Sequence, residues 1–113
     1  MARGDLVPRP RRRSEYEIVF GSQAAQAGWT DLLATKRNAL ADAWDFLANN
    51  PSEISPKCYP LKGELAWVTK RGASHQRWQL KLDSSSGSRI WYFVSGNQVI
   101  LEQVHTAHPN QTK

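Results

Sequence analysis

Apolar residues recur every three or four positions in two consecutive segments, which predicts two amphipathic helices. The stripe of the first comprises Ala25, Trp29, Leu32 and Leu33, and that of the second comprises Leu40, Ala43, Trp44 and Leu47. Ser22 is placed to cap the first helix, and the second ends before Pro51. Because only a few residues around Thr35 connect them, the two helices are expected to form an antiparallel hairpin.

The rest of the chain is predicted to form strands. A short strand from Glu15 to Phe20 stops at Gly21, and four more are expected at about 59–69, 76–82, 89–94 and 98–104. Small, polar and glycine residues separate these four strands, at 71–74, 83–87 and 95–97. Strands joined by such short loops pair antiparallel. We therefore predict an α+β fold, with an N-terminal strand and a helical hairpin packed on a C-terminal antiparallel sheet.

The strand at 76–82 has two unlike faces. Trp78, Leu80 and Leu82 alternate with polar and charged residues, which are Arg77, Gln79, Lys81 and Asp83. Successive side chains of a strand point to opposite faces of the sheet. The apolar face is expected to cover the helices, and the other face to be polar and largely basic.

Length and composition favour one globular domain. The chain has 113 residues, of which 40% are hydrophobic and 22% charged. It contains no apolar run near the roughly 20 residues that span a bilayer, and no apolar stretch of a secretory signal follows the basic N-terminus. A cytoplasmic location is expected, without membrane association. Cys58, the single cysteine, has no partner for an internal disulfide and is more simply a half-buried strand residue than a nucleophile.

The net charge of +5 is unevenly distributed. Residues 1–13 hold five arginines against one aspartate, a net charge of +4. Residues 14–56 hold two basic and six acidic residues, whereas residues 57–113 hold eight basic and three acidic ones. The helical half is therefore acidic, at −4, and the sheet half basic, at +5. A basic sheet suggests an anionic partner such as nucleic acid.

Both ends of the chain are predicted to be tails around a domain at 15–108. Residues 1–14 combine arginines with prolines and contain few apolar side chains, so they are expected to be flexible. The Arg-rich tail is either a solvated arm or an electrostatic lead onto nucleic-acid phosphates. Residues 109–113 form the second tail.

Taken in order, these elements resemble the RelE/ParE toxin family, in which a strand and a helical hairpin precede a meandering antiparallel sheet. The resemblance spans about residues 15–108 and rests on the order and spacing of several local motifs. These are Trp29, the Asn50-Pro51 stop, and the segments Tyr-Pro-Leu-Lys-Gly-Glu-Leu (59–65), Arg-Trp-Gln-Leu-Lys-Leu (77–82), Ser-Arg-Ile-Trp-Tyr (88–92) and Val-Ile-Leu-Glu-Gln-Val-His (99–105). It implies a RelE-like fold and the toxin component of a type II toxin-antitoxin system.

The resemblance further implies a growth-inhibiting, metal-independent endonuclease that cuts mRNA on the ribosome. There the 2′-hydroxyl of the RNA attacks the adjacent phosphate, so the protein must accept a proton, stabilise the charged phosphorane and protonate the leaving oxygen. By position, Arg89 and Lys81 are the basic catalytic candidates, and Arg89 is better suited to a bidentate grip on phosphate. His105 or His108 is expected to be the general acid, and Glu64 the general base.

Further residues are candidates for binding the RNA. Lys62 and Arg77 are placed to guide the backbone, and Trp91 or Trp67 could stack on a base if exposed. The simpler interpretation of each is a solvated side chain on the polar face, or a core position for the tryptophans. Three histidines and one cysteine give no zinc spacing, so no metal or cofactor is predicted.

Two alternative functions remain open. Gln79 is neutral where mRNA-cutting members often carry a second basic residue, and no tyrosine follows the last strand. That depleted set suits a non-enzymatic, ParE-like poison of DNA gyrase. A plain nucleic-acid-binding protein acting through its Arg-rich tail is the other alternative. Either toxin implies a cognate antitoxin that masks the basic groove with a helix or an extended arm.

Overall fold

A computed structural model describes residues 3–70, 72–82 and 87–107 of the chain. In these residues the fold is α+β, with two α-helices, a five-stranded mixed sheet and a separate two-stranded sheet. The elements in order are β1 (Glu17–Phe20), α1 (Gln23–Thr35), α2 (Arg37–Asn49), β2 (Cys58–Pro60), a 3₁₀ turn (Gly63–Leu65), β3 (Trp67–Lys70), β4 (Ala73–Gln76), β5 (Trp78–Lys81), β6 (Arg89–Ser95) and β7 (Gln98–His105). No helix in the described ranges is long and apolar enough to cross a membrane.

The two predicted helices are confirmed. The Ser22 hydroxyl accepts a hydrogen bond of 3.0 Å from the amide of Ala25, as expected of an N-cap. A single residue, Lys36, separates α1 from α2, and the two helices contact each other. Their stripes pack against the sheet around Leu32 and Leu47, which are almost fully buried. Leu33, predicted in the first stripe, is exposed instead, because it lies about 100° around the helix from Leu32.

The main sheet is mixed, because β1 joins the predicted antiparallel C-terminal strands in parallel at one edge. The strand order is β1-β7-β6-β5-β2, and β1 pairs with β7 in parallel, with Ile18 opposite Val99. The pairs β2–β5, β5–β6 and β6–β7 are antiparallel, as predicted. Short loops impose antiparallel pairing only between neighbouring strands. The long chain between β1 and β7 leaves their relative direction free.

One predicted strand is divided and one predicted turn is partly a strand. The segment 59–69 becomes β2, the 3₁₀ turn and β3. The segment 76–82 becomes β5, preceded by β4, which begins at Ala73 within the predicted turn at 71–74. Pro60 cannot donate a ladder hydrogen bond, and Gly63 has a φ of 67°, which turns the chain out of the sheet. The hairpin of β3 and β4 then lies over the main sheet, where the His75 ring stacks on Phe93 at 4.8 Å.

The hydrophobic core lies between the helices and one face of the main sheet, which we call the inner face. Leu80, Ile90 and Val104 contribute to it from β5, β6 and β7. Tyr92 is fully buried there; its hydroxyl donates 2.6 Å to the carbonyl of Pro51 and lies 3.1 Å from the Cys58 sulfur. Burial raises the pKa of the Cys58 thiol, which keeps it protonated and a poor nucleophile.

The arginines of the predicted tail contact the domain. The Arg9 guanidinium donates to the Glu15 carboxylate at 2.9 Å and lies over the Trp44 ring, 4.8 Å from its centroid. Arg11 contacts the partly exposed Glu17 at 3.4 Å. The Glu15 side chain is only 1% exposed, and the amide of Arg12 also donates to it. The flexibility of residues 1–14 stays a prediction. The bonds that residues 9–12 make with Glu15 and Glu17 would hold this part of the tail against the domain.

We expect Glu15 to make the fold acid-sensitive. The hydrogen bond from Arg9, and then that from the Arg12 amide, lower the Glu15 pKa below its usual value near 4.3. A lowered pKa adds stability above the unfolded value, and that stability is lost as the pH falls through the folded pKa. Glu15→Gln should therefore lower the urea midpoint at about pH 7, and the difference from wild type should shrink towards about pH 2. Glu17→Gln is the control, and equal midpoints for Glu15→Gln and wild type at neutral pH would refute the expectation.

Candidate functional site

The three best-placed sequence candidates lie side by side across the main sheet. Lys81 of β5 pairs with Arg89 of β6, which pairs with His105 of β7. Their neighbours Leu80, Ile90 and Val104 belong to the core, so the three side chains belong to the opposite, outer face. Directly opposed residues on neighbouring strands have Cβ atoms about 5 Å apart. We call Lys81, Arg89 and His105 the basic row.

Arg89 is the central member of the basic row. It is 6% exposed, and its Nε donates 2.9 Å to the carbonyl of Gly87 in the loop before β6. This bond fixes one edge of the planar guanidinium, so a phosphate would be held through the two Nη groups. An arginine that is largely removed from water interacts more strongly with an anion than a solvated one does.

His105 is oriented by an aromatic neighbour. Its ring meets the buried Trp91 ring edge-on, with 4.6 Å between centroids. Its Nε2 is a buried atom that has no hydrogen-bond partner in the described part of the chain. Burial, and then the positive charge of Arg89, lower the His105 pKa. At neutral pH the imidazole is therefore mainly uncharged, a form that accepts a proton more readily than it donates one.

A second row on the outer face supports the basic row. Gln79 donates 2.8 Å to the Tyr59 hydroxyl and accepts 2.8 Å from the Trp91 indole N–H. The Lys81 ammonium lies 5.4 Å from the centroid of the Tyr59 ring, within cation-π range. Gln79 thus fixes the two rings against which Lys81 and His105 lie. Sequence analysis missed Tyr59, although its pairing opposite Gln79 places it on the same face.

Two sequence candidates occupy other environments than predicted. Trp91 was a candidate for base stacking if exposed, but it is 1% exposed, buried among the side chains of the outer face. The prediction that Trp91 stacks on a base is therefore wrong. Glu64 was placed on a neighbouring strand, but it lies exposed on the 3₁₀ turn, because the chain leaves the sheet after Pro60. Lys62 is exposed just before that turn.

Arg77 is engaged with an acidic partner. Its Nε donates 2.9 Å to Glu102, Nη1 donates to the carbonyl of Leu65, and the guanidinium lies 5.9 Å from the Trp91 ring centroid. The pair with Glu102 neutralises the charge that would guide an RNA backbone.

His108 lies outside the described residues. Among those described, no three His, Cys, Asp or Glu side chains cluster as metal ligands.

A cleft of about 580 Å³ opens on the outer face beside these rows. Its floor is formed by β6 and β7, one wall by the end of β1 with the turn before α1, and the other wall by the β3–β4 hairpin. Side chains on these three sides are Phe93, Val19 and His75 respectively. We call this space the hairpin cleft. Its volume lies within the range typical of ligand-binding pockets.

Comparison with known proteins does not assign the chain to a family. No protein-family model, curated protein or solved structure matches it. Any function must therefore be inferred from the residues themselves.

Proposed function

We propose that this protein is a RelE-like toxin of a type II toxin-antitoxin system that cuts mRNA without a metal ion. The observation that carries the proposal is the basic row, which joins two cations and an uncharged histidine with an unpaired nitrogen on one face of the sheet. The element order supports it, since a strand and two helices precede the antiparallel strands.

The row contains the groups that transesterification of RNA needs. The Nε2 atom of His105 accepts the proton of the 2′-hydroxyl as its oxygen bonds to phosphorus. Arg89 stabilises the charge on the phosphorane oxygens. The bond from phosphorus to the 5′-oxygen breaks, and the leaving oxygen takes a proton from the Lys81 ammonium. The products are a 2′,3′-cyclic phosphate and a 5′-hydroxyl. In this assignment His105 replaces the exposed Glu64 as base.

Induced expression in bacteria tests the proposal. We expect growth arrest and mRNA ends that carry cyclic phosphate and 5′-hydroxyl groups, both relieved by co-expression of a cognate antitoxin. Arg37→Ala serves as the control, because Arg37 is an exposed cation on α2, on the other side of the sheet from the row. Unchanged growth and intact transcripts after induction of the wild-type chain would refute the function.

The pH profile of cleavage distinguishes the two possible roles of His105. Since its pKa lies below the usual value near 6.5, a general base is active above that pKa and loses activity as the pH falls through it. We expect a rate that is level near pH 7 to 8 and falls tenfold per unit on the acid side. His105→Ala should be slow at every pH and lack this acid limb. A rate that instead falls as the pH rises through the His105 pKa would show that His105 acts as an acid.

A gyrase poison and a tail-dependent nucleic-acid binder remain the alternatives. The first predicts DNA-damage signalling without mRNA cleavage. The tail-dependent binder needs the positive charges of the tail. Two of these charges, on Arg9 and Arg11, are compensated by Glu15 and Glu17. Deleting residues 1–13 should abolish RNA affinity and its salt dependence only if the tail is the binding element.

A further inference from the structure

The hairpin cleft contains an apolar row on the outer face of the sheet. Phe93 of β6 pairs with Ile100 of β7, which pairs with Val19 of β1, so three directly opposed residues cross three strands. Their neighbours along the strands, such as Ile18 and Val99, pack into the core on the inner face, whereas Val19 and Ile100 do not. Val19 and Ile100 are both partly exposed. A ligand that covered them would gain the free energy of burying apolar surface.

The β3–β4 hairpin covers one end of this apolar row. The His75 ring stacks on Phe93, with 4.8 Å between centroids, and Phe93 is only 4% exposed. Lys70 and Ala73 pair next to the turn of the hairpin and line the cleft beyond His75. The hairpin therefore leaves the Ile100 end of the row open and places a lysine beside it.

Lys70 and Glu102 supply the ammonium and the carboxylate of the cleft. The Glu102 carboxylate is already paired, because Arg77 donates to it at 2.9 and 3.4 Å. The Lys70 side chain has no ion pair or hydrogen bond in the part of the chain that the structure describes. An unpaired ammonium beside uncovered apolar side chains favours a ligand that joins a negative charge to an apolar body.

We propose that the hairpin cleft binds a small organic anion with an apolar body, of the class of medium-chain or aromatic carboxylates. The apolar body lies on Ile100 and Val19, and the carboxylate contacts the Lys70 ammonium. The cleft volume of about 580 Å³ is that of a small-molecule site. None of these residues belongs to the basic row, so the site does not depend on the proposed nuclease function.

Titration of the full-length, unmodified protein with octanoate tests the site. We expect octanoate to shift the backbone amide resonances of residues 19–22, 73–75 and 98–103, which surround the cleft. Octanol, which has the apolar body without the charge, should bind more weakly at the same residues, and acetate should cause no shifts at equal concentrations. Absence of these shifts with octanoate, or equal shifts with acetate, would overturn the proposal. Displacement of octanoate by adenosine monophosphate would also overturn it, because the cleft would then be a nucleotide site.

Two variants separate the contact with the charge from the contact with the apolar body. Lys70→Gln should weaken octanoate binding about threefold to fivefold, the size of one exposed ion pair, and leave octanol binding unchanged. Ile100→Asp places a charge among the apolar side chains and should abolish the binding of both.

Lys57→Gln and Ile54→Asp are the matched controls. Both side chains are exposed in the segment before β2, at the opposite edge of the main sheet from β1, and both variants should bind octanoate as wild type does. An equal loss of octanoate affinity in Lys70→Gln and Lys57→Gln would overturn the assignment of Lys70. A chain that cuts no mRNA but binds octanoate in the cleft would refute the nuclease and keep this site, and a nuclease that binds no octanoate would do the reverse.

Discussion

Replacing Arg89 by alanine is expected to lower the mRNA cleavage rate by roughly two to three orders of magnitude. A positioned donor to a developing oxyanion typically contributes a factor of about 100 to 1,000. Arg89 is the central residue of the basic row, and its guanidinium is fixed by the Gly87 carbonyl. The measurement is the single-turnover cleavage rate on a defined transcript, together with growth after induction.

Because Arg89 is nearly buried, loss of activity in the alanine variant must be separated from loss of folding. Arg89→Lys keeps the charge but loses the planar fork that grips two phosphate oxygens. We expect it to keep a melting temperature close to that of wild type and to cleave at least tenfold more slowly. A lysine variant that cleaves at the wild-type rate would contradict the role assigned to the guanidinium.

The helices and the order of the antiparallel strands could be predicted because they depend on local patterns. Helical periodicity placed α1 and α2 close to their observed bounds, and the short turns set the pairing of β6 with β7. The parallel pairing of β1 with β7 joins distant segments, so no local pattern encodes it. The separate β3–β4 hairpin depends on Pro60 and Gly63, whose effect within a run of strand-forming residues was not recognised.

The candidate site was predictable to the same degree. Lys81, Arg89 and His105 lie on successive antiparallel strands, so alternation and turn position suffice to bring them together. The burial of Trp91 was not predictable, because it depends on Gln79 and Arg77 packing around a ring on the face expected to be polar. Gln79 looked like a missing cation in the sequence. In the fold it is the residue that fixes Trp91 and Tyr59.

Gly28→Ala is expected to destabilise the fold by about 1–3 kcal/mol, although alanine is the better helix former by about 1 kcal/mol. Gly28 lies in α1 where the helix crosses β7, and an added Cβ would overlap the Val104 carbonyl oxygen and meet the Val104 Cβ at 2.9 Å. Strand β7 is paired with β1 on one side and β6 on the other, so it cannot yield without disturbing both.

The free energy of unfolding in urea tests this expectation, and Ala27→Gly is the matched control. Ala27 is the exposed neighbour on α1, where helix propensity alone should decide, so that glycine costs about 1 kcal/mol there. Val104 directly precedes His105, so a displaced β7 should also slow cleavage in the Gly28 variant at temperatures where it is still folded, whereas the Ala27 variant should retain its activity. Stabilisation by Gly28→Ala would show that α1 can move away from the sheet, and that the close approach at Val104 does not position the basic row.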